Sequence, residues 1–324
     1  MDSVTKNITG STSYSLAARF KDYMLLSKFT LSFTVVFTCV ICYLLAPNIS
    51  FDWFYVLMLF VGGMLITGSA NAINQAVEKD TDAQMKRTAN RPVASGRMSQ
   101  AHAYMFAFIT GSIGVFMVGY FFRGNESFNI PAALLSAFSL FLYAFIYTPL
   151  KKVNSIAVLV GAIPGALPCL IGWVAATGIV DPFAEIPVLG NAGKTISNGA
   201  GWVLFGIQFL WQFPHFWAIA WVAHKDYSTA GFKLLPADKG PTKFTAMQAV
   251  MYSVLMIPMG ILPRVLGLTG NVSMYIVIAA NLFMVIQCIR LLISMDVKAA
   301  RRVMFSSYIY LPIVFLALLA DKNV

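Results

Sequence analysis

Charge is scarce in this chain, acidic charge above all: 11% of its 324 residues are charged, and only 13 are Asp or Glu. Soluble domains carry about 25% charged residues, so the composition excludes an ordinary water-soluble globular fold. Histidine and cysteine are also few, at 3 and 4. Cys39, Cys42, Cys169 and Cys288 all fall in apolar stretches, and the CxxC at Cys39 and Cys42 has no second pair. Packing, rather than metal or disulfide chemistry, is their expected role. No Walker loop, Ser/His/Asp arrangement or soluble dinucleotide-binding motif occurs. Residues 1–20 are Ser/Thr-rich and lack both an apolar signal segment and the Arg content of a transit peptide, so they are expected to form a flexible tail.

Apolar residues are what the chain has in plenty: 58% are hydrophobic, and the mean hydropathy is +0.73. Runs of about 20 apolar residues cross a bilayer as helices. Nine lie near 27–46, 54–76, 101–122, 131–148, 154–177, 201–223, 244–265, 272–294 and 302–320. The expected architecture is an all-α polytopic membrane protein, a nine-helix bundle forming one domain over 1–324. The net charge of +10 is not a nucleic-acid signature here, because nineteen of the 23 Lys and Arg sit on alternate connections. By the positive-inside rule the N-terminus is then cytosolic and the C-terminus external. A bacterial inner membrane is the expected location.

The second run ends in the most informative stretch. Continued as a helix, Asn71, Asn74, Glu78 and Asp82 share one face, while Asp80 points elsewhere and is expected to pair with a nearby cation. Three of the 13 acids, Glu78, Asp80 and Asp82, fall within five positions. Carboxylates that close repel one another unless a cation binds between them. Lys86, Arg87 and Arg91 follow at once, so the chemistry suggested is a divalent ion plus phosphate. Lys28, at the end of the first run, either snorkels to headgroups or reaches over this site.

Two further segments carry polar groups. The fourth run ends Tyr143, Tyr147, Thr148, Pro149, Lys151, with Pro149 closing the helix and the tyrosines serving as interfacial anchors or as aromatic faces for a cation. The fifth carries Gly161, Pro164, Gly165, Pro168 and Gly172, a set of helix breakers expected to kink it around a cavity. In the sixth, Gln208, Gln212, His215 and Asp226 are spaced so that polar groups line one face down to the cytosolic rim. His102 reads as incidental, and Asn281 and Gln287 as packing hydrogen bonds. The residues alone thus describe a bundle with a central cavity open to the cytosol, acids for Mg²⁺ and cations for a lipid diphosphate.

These motifs resemble those of the UbiA-type intramembrane prenyltransferases. Asn74, Glu78 and Asp82 match that family's Asn-x3-Asp-x3-Asp pattern, and Arg87-Thr88-Ala89-Asn90-Arg91-Pro92 its Arg-Thr-x-Asn-Arg-Pro tail. Tyr147 to Lys151 fits the fourth-helix signature, and Gly172-Trp173 that of the fifth. The run from Phe209 to Phe216, then Lys225-Asp226-Tyr227 and Leu235-Pro236, fits the haem-farnesylating branch in particular. The likeness covers roughly residues 20–320. Three positions depart from it: Glu78 replaces Asp, Ala230 stands where other branches carry an acid, and Phe29 replaces a Pro after Lys28.

The resemblance implies farnesyl diphosphate and protohaem IX as substrates, with haem A synthase or a terminal oxidase receiving the product. It implies a Mg²⁺ site and catalytic centre at Asn74, Glu78, Asp82 and Asp226. Lys28, Arg87, Arg91, Lys151 and Lys225 would bind the diphosphate. Asn71, Tyr143, Tyr147, Gln208, Trp211, Gln212 and His215 would line the acceptor or prenyl cavity. His215 could meet haem iron or a propionate, or serve only as a structural hydrogen bond. The competing readings are a different acceptor, such as a quinone precursor or chlorophyll-like ring, and a transporter. A transporter needs polar access from both faces, whereas these charges lie on one.

Overall fold

The computed structural model describes residues 15–121, 128–191, 193–236 and 240–323. Arg123, Lys239 and residues 1–14 of the expected tail lie outside them. The rest of that tail is helical, because the Ser15 side chain accepts from Ala18 N and opens α1 (Leu16–Leu26). The chain continues through α2 (Phe29–Leu45), α3 (Trp53–Val77), α4 (Lys79–Gln84), α5 (Gln100–Phe121) and α6 (Ile130–Phe141). A π-helical turn (Leu142–Tyr147) leads into α7 (Thr148–Leu150) and α8 (Ala157–Thr177). Strands β1 (Glu185–Pro187) and β2 (Thr195–Ser197) then precede α9 (Gly199–Val222), α10 (His224–Thr229), α11 (Lys243–Val265), α12 (Asn271–Ser294) and α13 (Val297–Ala320).

Among the described residues, eight helical spans are long and apolar enough to cross a membrane, and a ninth is obtained if α1 and α2 count as one bent span. α2 falls within the apolar run at 27–46, and α1 extends that first span on its N-terminal side. The span bends by 52° at Lys28, whose φ of +46° is unusual for a residue with a side chain. The last span starts at Val297 rather than 302, because Asp296 caps its first turn and the cations at its start stay helical. The chain is a multi-pass membrane protein. Phe108 and Ile293, each 77% exposed, belong to an outer surface suited to lipid rather than water.

Pro149 shapes the fourth span more than it closes it. It has no N–H and crowds the carbonyl four residues back, and the turn before it widens. Thr148 donates both its N–H and, at 2.8 Å, its hydroxyl to Tyr143 O. The helix ends one residue later, at Leu150. π-Turns of this kind recur at functional sites.

α8 and α9 are the most enclosed helices. α8 packs on α2, α6 and α9, while α9 also packs on α11 and α13. The breakers of α8 allow close approach, and Ser139 Oγ reaches the Pro164 carbonyl that Pro168 leaves without its helical N–H. Gly172 sits directly against the α2 backbone: a Cβ there would overlap Cys39 O and lie 3.1 Å from Tyr43 N. Neither group can move without parting the two helices. Gly172→Ala is expected to cost about 3 kcal/mol, the upper end for overpacking. The test is the monodisperse fraction and melting temperature in detergent; wild-type values would contradict this account.

The connection between α8 and α9 holds the two-stranded antiparallel β1–β2 hairpin. Asn198 binds it to the bundle, accepting from Trp173 Nε1 at 2.7 Å and donating to Ile179 O and Asp181 O. The cysteines are free and buried, and Asn281 bridges Met256 O and Tyr310 OH as a packing group.

Candidate active site

A cavity of about 480 Å³ lies between α2, α3, α8, α9 and α13, a size typical of small-molecule sites. Of the expected site residues, Lys28, Asn71, Asn74, Glu78, Asp82, Arg87, Arg91, Tyr143, Tyr147, Lys151, Gln208, Trp211, Gln212 and His215 all line it. Lys225 and Asp226 do not. Lys225 is exposed, and Asp226 stands half-buried on α10.

α3 ends at Val77, but the hydrogen bonds Glu78 N to Asn74 O and Asp82 N to Glu78 O carry the helical register across the junction into α4. Asn71, Asn74, Glu78 and Asp82 therefore remain on one line along the cavity. Asp80 is exposed, and among the described residues no salt bridge holds it, contrary to the expected pairing.

Each buried group on that line already has a basic partner or a tie to a neighbouring element. Lys28 Nζ donates to Asn74 Oδ1 at 2.9 Å, and Asn74 Nδ2 reaches Thr148 Oγ1 at 3.4 Å. Asn71 Nδ2 donates to Ser27 O and Ser32 Oγ, holding the α1–α2 bend against α3. Arg91 Nη1 donates to both oxygens of Asp82, at 2.8 and 2.7 Å. The Lys151 ammonium pairs with Glu78 Oε1, although that oxygen accepts no well-directed hydrogen bond. Lys151 also lies 4.9 Å from the Tyr147 ring centroid and 5.5 Å from that of Phe232. Burial lowers the Lys151 pKa, opposed by the Glu78 and Asp82 carboxylates.

Arg87 stacks over Tyr227 at 5.1 Å and donates to its hydroxyl at 2.8 Å. Burial pulls its pKa down, but Tyr227, Asp226 and Asp82 outweigh that and leave it raised. Among the described residues no three His, Cys, Asp or Glu side chains come together as metal ligands, so Asp226 does not join Glu78 and Asp82. The rim presents four cations, Lys28, Arg87, Arg91 and Lys151, against two carboxylates, Glu78 and Asp82. The surplus is positive and suits an anionic ligand.

The remaining walls are apolar and aromatic, with amides spent on structure. Gln208 Nε2 donates to Gly165 O at 2.8 Å, and Gln212 Nε2 to Ala162 O at 2.9 Å, tying α9 to α8. Tyr143 and Tyr147 pack on each other with centroids 5.2 Å apart and line the cavity rather than anchoring at an interface alone. Sequence reasoning missed Tyr227, Phe232 and Tyr308 as lining residues. Tyr227 was within reach, since it stands in the Lys225-Asp226-Tyr227 motif; Tyr308 belongs to none of the motifs that mark the site in the sequence.

One polar rim above an apolar, aromatic cavity is what a membrane enzyme acting on a lipid diphosphate requires. The chain belongs to the UbiA prenyltransferase family, whose model matches residues 35–316. It is 41% identical to a protoheme IX farnesyltransferase of Cytophaga hutchinsonii, over 95% of this chain and 99% of that one. It is 39% identical to the Flavobacterium johnsoniae protein of the same name, over 95% and 96% of the two chains. A digeranylgeranylglyceryl phosphate synthase structure superposes with a TM-score of 0.72 at 19% identity, over 94% of this chain and 98% of that one. A UbiA homolog from Archaeoglobus fulgidus bound to GPP and Mg²⁺ gives 0.65 at 12% identity, over 92% and 99%. These two likenesses establish the fold.

Proposed function

We propose that this chain transfers the farnesyl group of farnesyl diphosphate to a vinyl group of protohaem IX, with addition of water, giving haem O and diphosphate. The observation that carries the diphosphate half is the rim itself, where four cations and two buried carboxylates meet above an apolar cavity. The farnesyl donor and haem acceptor follow the names of relatives that match nearly the whole chain.

The donor set fits Mg²⁺. Glu78 and Asp82 offer hard carboxylate oxygens, Glu78 Oε1 lacks a directed hydrogen bond, and the Asn74 amide oxygen stands beside them. Glu78, Asp82 and Asn74 would hold the ion; Asp226, off the cavity wall, is not among them. Bound there, Mg²⁺ supplies positive charge to the diphosphate oxygens and stabilises the leaving group. Lys28, Arg87, Arg91 and Lys151 bind the remaining phosphate oxygens, exchanging their present carboxylate, amide and tyrosine hydroxyl partners for the substrate. The C1–O bond breaks and its electron pair leaves with the diphosphate. The allylic cation forms a bond to the terminal vinyl carbon, and water captures the new cation beside the ring, losing a proton. Tyr143, Tyr147 and the apolar walls keep stray water from the first cation.

The chain works as one unit over 1–324 in the bacterial cytoplasmic membrane, N-terminus cytosolic and C-terminus external. Its product passes to a haem A synthase or a terminal oxidase. Incubation of the full chain in detergent with protohaem, farnesyl diphosphate and Mg²⁺ is expected to yield a pigment heavier by one farnesyl group and one hydroxyl. Chelation with EDTA is expected to stop it. An unchanged pigment in a reaction where a quinone precursor is prenylated would overturn the acceptor.

A further inference from the structure

Of the chain's three histidines, only His215 lines the cavity. It follows Pro214 on α9 and is held on two sides. Its ring stacks on Trp211, centroids 4.4 Å apart and planes 17° apart, and Trp211 Nε1 donates to Ser307 O at 3.0 Å. Its Nδ1 lies 2.7 Å from Ser307 Oγ, on α13.

That hydroxyl decides the imidazole's tautomer. Ser307 Oγ also lies 2.6 Å from Met304 O, and it donates its single proton there. Two oxygens that close repel unless a proton sits between them, so the hydroxyl has none left to give Nδ1. Ser307 Oγ must therefore accept, and Nδ1 must carry the hydrogen. Nε2 is left with a free lone pair and, among the described residues, no hydrogen-bond partner. It is not sealed in as an orphaned buried atom, so it is the ring nitrogen open to a ligand in the cavity.

In this tautomer Nε2 can accept but cannot donate. It cannot hydrogen-bond a haem propionate, whereas a metal ion is a suitable partner. Resting on the reading of protohaem as acceptor, we infer that His215 Nε2 ligates the iron of the incoming haem and that Ser307 is the positioning residue that selects the ligating tautomer. An N–H on the far nitrogen, fixed by an oxygen acceptor, is the arrangement that orients histidine ligands and raises their basicity. Ligation would anchor the macrocycle by its centre, leaving the vinyl edge free to meet the farnesyl cation.

The test is resonance Raman spectroscopy and haem titration of the full chain in detergent with ferrous protohaem. The wild type is expected to show an iron–histidine stretching band. His215→Ala should lose it, and added imidazole should restore a band. Ser307→Ala should shift the band to lower frequency and weaken haem affinity about 10–100-fold, while Ser307→Thr, which keeps the hydroxyl, restores both. If His215→Ala does not fold, the band and its Ser307→Ala shift still decide. Haem bound to the wild type without the band, or a band unchanged in both variants, would overturn the inference and leave the acceptor standing. A wild-type chain that binds no protohaem would overturn the acceptor itself.

Discussion

Glu78→Gln is expected to lower kcat/KM by roughly 1000-fold or more while the protein still folds, and Asp82→Asn to do the same. Both substitutions keep shape and remove a charge. On the proposed mechanism these carboxylates hold the divalent ion that stabilises the departing diphosphate, so loss of either would remove an electrostatic contribution of several kcal/mol. Folding should survive because the cation left behind is not abandoned. Lys151 keeps the rings of Tyr147 at 4.9 Å and Phe232 at 5.5 Å, and Arg91, 23% exposed, can reach water. Steady-state rates with farnesyl diphosphate across a Mg²⁺ titration, beside a thermal melt, read both halves. Near-wild-type turnover in either variant would remove these carboxylates from the mechanism.

The second large effect concerns the partner of Glu78. Lys151→Met should raise KM for farnesyl diphosphate at least tenfold and also lower stability. It leaves a carboxylate that is only 5% exposed without its cation. Breaking a buried pair from one side costs about 3–5 kcal/mol, whereas replacing both members is often neutral. The double variant Glu78→Gln/Lys151→Met should therefore recover most of the melting temperature and none of the activity. Equal instability of single and double variants would show that Lys151 matters to folding by packing rather than by charge. An unchanged KM in Lys151→Met would remove it from diphosphate binding.

The two predictions share one physical idea. Without substrate, the rim's two acids are neutralised by cations that would grip the diphosphate, Arg91 on Asp82 and Lys151 on Glu78, while Lys28 donates to the Asn74 amide. On the proposed mechanism, binding a divalent ion together with a diphosphate would exchange these partners without leaving a charge uncovered. Lys28 is suited to such a switch because it sits at a bend with a positive φ, a conformation the surrounding packing must hold.

Local pattern alone determined a good deal about this protein. Apolar run length located the spans, since each bilayer helix must satisfy its own backbone, and helical spacing put Asn71, Asn74, Glu78 and Asp82 on one line. Two carboxylates followed by Arg87 and Arg91 already pointed to metal and phosphate. What the sequence could not carry was pairing between distant segments. That Lys151 rather than a neighbouring cation meets Glu78, that Asp80 has no salt bridge among the described residues, and that Asp226 stands off the cavity wall all depend on how α3, α7 and α10 pack. The tautomer of His215 depends on a serine on α13, and the need for glycine at 172 on the α2 backbone against it. Periodicity reports which face a residue occupies; only the packed helices decide which group from elsewhere in the chain stands opposite.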